Sequence, residues 1–256
     1  MTHPFDLTGK VAVVTGSSKG IGRATVEMMA DLGAKVVVSS RKAPICEEVV
    51  AGINQKHGDE RAISVPCNIA EKAQLQNLVD QTREKWGQID ILVCNAAVNP
   101  FFGSAADIPD DAFDKIMACN IRSNHWLCNM VLPEMIERKD GAVVIVSSVG
   151  GLKGSEMIGP YCISKAADMQ MVRNLSSEYG RHNVRINCLA PGLIRTHFAR
   201  ALWENPDILK ASTSTTPMRR IGEPDEIAGG IVFLSSQAAG FTNGHTLVID
   251  GGATIS

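Results

Sequence analysis

Short, almost wholly apolar runs alternate with longer amphipathic stretches along this chain. Seven such runs are VAVVT (11–15), KVVVSS (35–40), AISVP (62–66), IDILVC (89–94), AVVIVSS (142–148), VRINCLAP (184–191) and HTLVID (245–250). Continuous apolar runs of this length are typical of strands that are covered on both faces in a parallel sheet. Regular strand–helix alternation with right-handed crossovers therefore predicts a doubly wound α/β fold with a seven-stranded parallel sheet.

The segments between the runs have the length of helices. Those at 22–32 and 71–86 are followed by Gly33 and Gly87, where a glycine commonly ends a helix, and a longer one at 110–138 ends near Gly141. The strand pattern continues to Asp250, so the 256 residues predict a single domain over 1–256. One stretch does not follow the strand–helix alternation. Residues 195–222 combine helical pieces with the polar run at 212–216, which predicts an inserted substrate loop or lid.

Composition excludes several classes of protein. The 25 basic and 27 acidic side chains leave a net charge of −2, which argues against binding to nucleic acid or to an anionic membrane surface. The seven cysteines form no Cys-x-x-Cys pair, and the histidines are scattered, so we expect buried reduced thiols and no metal site. No signal peptide and no apolar run of about 18 residues is visible, and the expected location is cytoplasmic.

The first strand run leads into TGSSKGIG at 15–22, with glycines at Gly16, Gly20 and Gly22. Glycines between a strand and a helix permit a tight turn and a close approach to a pyrophosphate, and the helix N-terminus attracts that anion. The spacing is G-x-x-x-G-x-G rather than the more familiar G-x-G-x-x-G. We predict a dinucleotide site here, whose loop also carries Ser18, Lys19 and Ile21.

The second strand run predicts which dinucleotide binds. An NAD-preferring fold places an acid at its end to bind the adenosine ribose, but this chain has Ser40, Arg41 and Lys42 there. A guanidinium can bind a 2′-phosphate that a carboxylate would repel, and Lys19 can add a second cation. We therefore predict NADP(H) over NAD(H). The alternative is a solvated basic surface pair.

A candidate acid–base pair stands at Tyr161 and Lys165, whose i, i+4 spacing places both side chains on one helical face. A tyrosine has a pKa near ~10, and a neighbouring ammonium lowers it by stabilising the phenolate. Such a pair also occurs by chance on helix surfaces. Ser148 adds weight, since it ends an apolar strand run, where open α/β sheets bind ligands.

These motifs together resemble the short-chain dehydrogenase/reductase family, which has a Rossmann fold. The resemblance covers essentially the whole chain: TGSSKGIG, CNAA at 94–97, Asn120, Ser148, Tyr161-x-x-x-Lys165 and PGLIRT at 191–196 occur in the family's order and spacing. Within the family the chain looks most like the NADP(H)-dependent carbonyl and retinol reductases. It shares much of the pattern with the 3-oxoacyl-carrier-protein reductases as well.

The resemblance implies a role for each matched residue. Tyr161 would be the catalytic acid or base, Lys165 would lower its pKa and hold the nicotinamide ribose, Ser148 rather than Ser147 would orient the carbonyl, and Asn120 would support a water-linked proton relay. Further cofactor contacts are implied for Asn95, Ala96 and Ala97 beside the adenosine, and for Pro191, Gly192, Ile194 and Thr196 around the nicotinamide.

Two positions depart from the family's pattern. The third strand usually ends in an acid that binds the adenine amino group, whereas this chain has Cys67-Asn68-Ile69. The Asn68 amide can accept from that amine through its carbonyl oxygen, so we expect little loss of activity. The usual Asn-Asn-Ala-Gly motif reads Cys94-Asn95-Ala96-Ala97, and Ala97 restricts the backbone next to the cofactor.

Apolar side chains in the loops predict a lipophilic carbonyl or alcohol substrate. These are Phe101, Phe102, Leu152, Met157, Ile158, Phe198, Leu202 and Trp203, several of which could instead pack a subunit interface. Arg195 or Arg200 could bind a carboxylate or phosphopantetheine, which would favour a 3-oxoacyl-thioester reductase. A non-catalytic nucleotide-sensing regulator is the third alternative. The family resemblance also implies a homotetramer or a dimer.

Overall fold

A computed structural model describes residues 3–256. Seven parallel strands form one sheet in the order β3-β2-β1-β4-β5-β6-β7. The strands are β1 (Val11–Thr15), β2 (Lys35–Ser39), β3 (Ala62–Ser64), β4 (Ile91–Cys94), β5 (Gly141–Val146), β6 (Val184–Pro191) and β7 (Thr246–Ile249). The predicted doubly wound, seven-stranded parallel sheet is confirmed.

Nine α-helices are found in residues 3–256. They are α1 (Gly20–Asp31), α2 (Ala43–His57), α3 (Lys72–Trp86), α4 (Asp110–Met117), α5 (Ser123–Arg138), α6 (Gly159–Tyr179), α7 (Arg200–Trp203), α8 (Pro206–Thr215) and α9 (Pro224–Ser235). The chain leaves α3 at Gly87, which has φ +83°, and turns after α1 at Gly33, which has φ +95°. Both are left-handed conformations that glycine adopts without steric cost.

The strand residues point alternately into two cores, one on each face of the sheet. Val13, Val37 and Leu92 pack beneath α3, α5 and α6, whereas Val14 and Val38 pack beneath α1, α2 and α9. Because the side chains of a strand alternate between faces and both faces are covered, every position of the central strands must be apolar. This explains the uninterrupted β-branched runs in the sequence.

The order in which the chain adds strands reverses between β1 and β4. The chain runs outward from β1 through β2 to β3, then returns to place β4 on the other side of β1 and continues to β7. Such a switch in strand order leaves a crevice at the carboxyl ends of the two central strands, which is where open α/β sheets bind ligands. All of the strands point toward this edge.

Two expectations about the helices were wrong in detail. The segment 110–138 is not one regular helix, because a π-helical turn at Ala118–Arg122 separates α4 from α5. The polar run at 212–216 is largely helical, since α8 extends to Thr215. Its hydroxyls donate back to main-chain carbonyls, as from Thr213 to Leu209 at 2.9 Å, so the helix satisfies them locally. The third strand is also shorter than 62–66.

Candidate active site

The glycine loop joins β1 to α1 at the switch point of the sheet. Gly16 has φ +67° and Gly20 has φ +54°, and a Cβ atom on Gly22 would lie 2.4 Å from the Gly16 carbonyl oxygen. No side chain caps the start of α1 at Lys19, so its first N–H groups are free to bind an anion. The loop therefore fits a pyrophosphate on both geometric and electrostatic grounds.

Asn95 braces this loop from β4. Its side-chain amide donates to the Thr15 carbonyl oxygen at 2.9 Å, while the Thr15 hydroxyl accepts from the main-chain N–H groups of Asn95 at 3.0 Å and Ala96 at 3.1 Å. A Cβ atom on Gly16 would lie 3.0 Å from the Ala96 Cα. The segment after β4 thus packs directly on the glycine loop, and the Asn95 side chain stabilises the conformation of that loop.

The basic residues predicted to bind a 2′-phosphate are exposed around the ends of β1 and β2. Within residues 3–256, Lys19, Arg41 and Lys42 form no ion pair. The Ser40 hydroxyl shares a hydrogen bond of 3.1 Å with the Cys46 thiol. Three exposed cations without ion-pair partners in this part of the chain suit a dianionic phosphate.

The remaining predicted cofactor residues also follow strand ends. Asn68 accepts from the main-chain N–H of Ala70 at 3.2 Å through its side-chain oxygen, so that oxygen is already partly used. A Cβ atom on Gly20 would lie 3.1 Å from the Thr196 methyl group, which brings the segment after β6 over the glycine loop. Ser18 and Ile21 belong to the glycine loop and the start of α1, Ile69 and Ala97 follow β3 and β4, and Pro191, Gly192 and Ile194 stand at and after the end of β6, where Ile194 packs into the core.

Asn120 lies in the π-helical turn and is completely buried. Its side-chain oxygen accepts from the Val98 N–H at 2.9 Å, and its amide donates to the Val98 carbonyl and to the Ser164 hydroxyl, both at 3.0 Å. The side chain therefore fastens the segment after β4 to α6. π-Helical turns inside α-helices are frequent at functional sites.

Ser148 and Tyr161 lie next to each other beside Gly150, where the Ser148 hydroxyl interacts with the Tyr161 phenol. The Ser148 hydroxyl accepts from the Gly150 N–H at 3.1 Å, and a Cβ atom on Gly150 would lie 3.5 Å from that hydroxyl and 4.0 Å from the Tyr161 ring. Ser147, in contrast, is buried and donates to the Lys165 carbonyl oxygen at 2.7 Å. Ser147 fixes β5 against α6, which leaves Ser148 to face the crevice.

Lys165 is buried behind Tyr161. Its side chain is only 2% exposed, and its Nζ donates to the Val146 carbonyl oxygen at 2.9 Å and to the Asp168 carboxylate at 3.0 Å. The Nζ lies 5.7 Å from the centre of the Tyr161 ring. Burial lowers the pKa of this ammonium, but the charge of Asp168 and the neighbouring Tyr161 outweigh it, and the net direction is upward.

Burial dominates the protonation of Tyr161 itself. Loss of solvent raises the pKa of the phenol above its usual value, while the Lys165 charge and the Ser148 hydroxyl lower it by a smaller amount. Lys165 thus acts in the direction that the sequence predicted, but it does not by itself bring the pKa of Tyr161 below that of a free tyrosine. At neutral pH the phenol carries its proton and is ready to donate it.

Apolar side chains surround the open side of this pair. The Phe198 ring lies 6.1 Å from the Tyr161 ring, tilted by 39°, and Phe102, Leu152 and Met157 are more than two-fifths exposed. The Gly103 N–H donates to the Met157 carbonyl oxygen at 2.8 Å, which ties two of these loops together. Phe101, Ile158 and Leu202 are half-buried nearby in sequence.

The inserted segment is anchored by polar contacts. The Trp203 indole donates to the Thr196 carbonyl oxygen at 2.9 Å, so α7 is fixed to the end of β6. Arg195 pairs with Glu223 at 2.9 Å and lies over the Trp203 ring, and Arg200 pairs with Glu204 at 2.6 Å. Both arginines considered for an acidic substrate are therefore already paired with glutamates.

Several residues of the site were not found by sequence reasoning. Thr15 and Asn124 form part of its polar framework, and Asp168 lies next to Lys165. The i, i+3 spacing of Lys165 and Asp168 was visible in the sequence. Their common burial was not, because it depends on β5 and α5 closing over that face of α6.

Comparison with known proteins identifies the family of this chain. A family model described as enoyl-(acyl carrier protein) reductase matches residues 16–254. Dehydrogenase/reductase SDR family member 4 of Bos taurus is 42% identical over 254 residues, which cover 99% of this chain and 90% of the relative. The protein of the same name from Homo sapiens is 40% identical, with 98% and 90% covered. The chain belongs to the short-chain dehydrogenase/reductase family.

Solved structures of this family have the same fold. A gluconate 5-dehydrogenase from Burkholderia cenocepacia in complex with NADP and tartrate superposes with a TM-score of 0.93 at 30% identity, covering 99% of this chain and 98% of the other. Levodione reductase gives a TM-score of 0.93 at 30% identity, with 98% and 99% covered. The protein is thus a short-chain dehydrogenase/reductase oxidoreductase with a Rossmann-like α/β fold. No helix within residues 3–256 is sufficiently long and apolar to span a membrane.

Proposed function

We propose that this protein is an NADP(H)-dependent oxidoreductase that reduces a lipophilic ketone or aldehyde, or oxidises the corresponding secondary alcohol, with Tyr161 as acid and base. The observation that carries the proposal is the buried Lys165 ammonium behind Tyr161, with the Ser148 hydroxyl beside the phenol. This set supplies a proton donor, a charge that stabilises its conjugate base, and a second hydroxyl for a carbonyl oxygen.

Each residue of the crevice has a separate role in the proposed reaction. NADPH, when bound, supplies the hydride that reaches the carbonyl carbon. Ser148 and Tyr161 donate hydrogen bonds to the carbonyl oxygen, and Tyr161 transfers its proton as negative charge develops there. Lys165 stabilises the phenolate that remains, because an ammonium in a buried site interacts strongly with a nearby anion. Asn120 holds the segment after β4 against α6, and a role in a water-linked proton relay belongs to the same proposal.

The preference for NADP(H) is supported by Lys19, Arg41 and Lys42, which are exposed near the end of β2 and have no counter-ion within the described chain. The NADP bound to the gluconate 5-dehydrogenase is a property of that neighbour. The apolar rim of the site, with Phe102 and Phe198, favours a lipophilic substrate over a polar one. A cytoplasmic location and a homotetramer or dimer complete the proposal. The family resemblance carries the oligomeric state.

A spectroscopic screen tests this function. NADPH oxidation and NADP reduction are followed with aldehydes, ketones, diketones, retinoids, steroids and secondary alcohols. Tyr161→Phe is expected to abolish turnover and leave cofactor binding intact, because only the acidic hydroxyl is lost. The chain contains two tyrosines, so Tyr179→Phe, at the end of α6, is the matched control and should keep full activity. Turnover that survives in Tyr161→Phe would remove this residue from the role.

A 3-oxoacyl-thioester reductase is the second candidate. The description of the matching family model as an enoyl-(acyl carrier protein) reductase favours acyl chemistry, although the pairing of Arg195 and Arg200 with glutamates speaks against a phosphopantetheine contact there. Activity on acetoacetyl thioesters without activity on simple ketones would select it. Binding of NADPH without turnover of any substrate would select the nucleotide-sensing regulator.

A further inference from the structure

A buried carboxylate that the proposed reaction does not use lies directly behind the site. Asp168 is completely inaccessible to solvent. One of its oxygens accepts from the Lys165 ammonium at 3.0 Å, and the other accepts from the side-chain amide of Asn124 at 3.0 Å. A buried carboxylate is costly unless it is paired and hydrogen-bonded. Both of its oxygens are satisfied here, so the arrangement is a built one.

The contacts of Asp168 fix the direction of the Lys165 ammonium. An ammonium has three N–H bonds, and the described chain provides two acceptors for them, the Val146 carbonyl oxygen at 2.9 Å and the Asp168 carboxylate at 3.0 Å. These two acceptors come from β5 and from the next turn of α6. One N–H bond is left without an acceptor in the described chain, and the centre of the Tyr161 ring lies 5.7 Å from the Nζ.

We propose that Asp168 is a positioning residue that holds Lys165 charged and correctly oriented behind Tyr161. This inference rests on the proposed function, since it gives Asp168 a task in the Tyr161 proton transfer. Asp168 touches neither substrate nor cofactor and acts through Lys165.

The other ionisable groups around Lys165 cannot supply the counter-charge. Tyr161 on α6 is protonated at neutral pH, as argued above. Burial raises the pKa of Cys188 on β6 to about 12. A hydrogen bond with Cys128 on α5, together with burial, raises the pKa of Cys94 on β4 well above the ordinary value. All of these groups are neutral in the working pH range. Burial raises the pKa of Asp168, while the Lys165 charge and the hydrogen bonds from Lys165 and Asn124 act in the opposite direction. Because both of its oxygens accept hydrogen bonds, Asp168 is the group placed to be the anion that compensates the buried ammonium.

The same carboxylate connects Lys165 to the π-helical turn. The Asn124 amide that donates to Asp168 also donates to the main-chain carbonyl oxygen of Asn120 at 2.7 Å. Asn120 in turn donates to Ser164, one residue before Lys165. These polar contacts join the π-helical turn and α5 to α6. Displacement of Asp168 would therefore disturb the positions of both Asn120 and Lys165.

The substitution Asp168→Asn removes the charge and keeps the shape. Lys165 would then be an unpaired buried ammonium, and burial alone lowers the pKa of a fully buried lysine by several units. We therefore expect the Lys165 pKa to be lower in Asp168→Asn than in the wild-type protein, because burial is then no longer opposed by the carboxylate. The direct readout is a pH titration of the carbon NMR signal of the Lys165 Cε in lysine-labelled protein, assigned by its absence from Lys165→Met. This measurement needs no substrate.

The kinetic readout is the pH profile of alcohol oxidation, in which Tyr161 must be the phenolate. Loss of the ammonium charge destabilises the phenolate, so the ascending limb of kcat/KM should move to higher pH in Asp168→Asn. Asp168→Glu keeps a carboxylate and should return the limb toward its original position.

Asp90→Asn is the matched control. Asp90 is also a buried carboxylate, 3% exposed, that lies 3.6 Å from Arg138, but it stands at the opposite edge of the sheet, before β4. Its neutralisation should lower stability and leave both the Lys165 titration and the pH profile unchanged.

The outcomes separate the two proposals. A Lys165 that stays protonated over the same pH range in Asp168→Asn overturns the role of Asp168, whatever the activity. A wild-type protein without turnover, in which Asp168→Asn still lowers the Lys165 pKa, refutes the proposed function and leaves Asp168 as the partner that keeps Lys165 charged. If Asp168→Asn does not fold, Asn124→Ala replaces it. It should give a smaller downward shift of the Lys165 pKa and a lower kcat, and no change in either overturns the proposal.

Discussion

The proposed preference for NADP(H) rests on a few exposed cations, and Arg41→Ala tests it. Arg41 lies just beyond β2 and forms no ion pair within residues 3–256. Its guanidinium is therefore free to bind a 2′-phosphate without first breaking another contact. A hydrogen bond to a charged group contributes about 1.5–3 kcal/mol net, and each 1.36 kcal/mol is a factor of ten. The expected loss of kcat/KM for NADPH is thus roughly 10- to 150-fold.

NADH provides an internal control because it lacks the 2′-phosphate. Arg41→Ala should leave kcat/KM for NADH nearly unchanged, so the ratio of the two values reports the phosphate contact alone. Lys42→Ala should act in the same direction. The loss with NADPH should also become smaller as salt is added, because salt screens interactions between exposed charges. The Debye length is about 8 Å at physiological ionic strength and becomes shorter at higher salt.

A control for general charge effects is Arg181→Ala. Arg181 is also exposed, but it lies in the turn before β6 and hence at the opposite edge of the sheet from the crevice. It should change neither cofactor. An equal loss with NADPH and NADH in Arg41→Ala, or no loss with NADPH, would refute the assignment of this strand end to the 2′-phosphate.

Three further predictions concern the loop, the proton donor and the lid. Gly22→Ala places a Cβ atom 2.4 Å from the Gly16 carbonyl oxygen. We therefore expect the free energy of unfolding to fall by about 1–3 kcal/mol in denaturant and nucleotide binding to weaken in a fluorescence titration. Gly229→Ala is the control and should be tolerated, because no atom lies within 4 Å of the added Cβ. Carbonyl reduction should stay constant through neutral pH and fall only in the strongly alkaline range, because burial raises the pKa of Tyr161 and keeps the donor protonated; a fall centred near neutral pH in the rate profile contradicts this. Trp203→Phe removes the hydrogen bond that anchors α7 and should raise KM for the carbonyl with little change in KM for NADPH.

Much of this molecule was predictable because its signals are local. Each strand was visible as a β-branched run, since a sheet covered on both faces accepts apolar side chains at every position. The glycine loop was visible because positive φ at Gly16 and Gly20 restricts the choice of residue. The helical spacing of Tyr161 and Lys165 likewise needed only the repeat of a single helix.

Other features required the tertiary structure, because they depend on contacts between residues distant in the chain. The π-helical turn at 118–122 has no clear local signal. Its Asn120 is fixed by Ser164, 44 residues later. The pKa of Tyr161 is raised because packing removes water from the phenol, and this burial outweighs the charge that sequence spacing revealed. The pairing of Asp168 with Lys165 could be identified only in the folded protein, because β5 and α5 bury both side chains together. The sequence by itself determined which strands, glycine loop and candidate acid–base residues are present. Solvent exclusion in the folded protein decided the protonation of Tyr161 and the partners of Lys165.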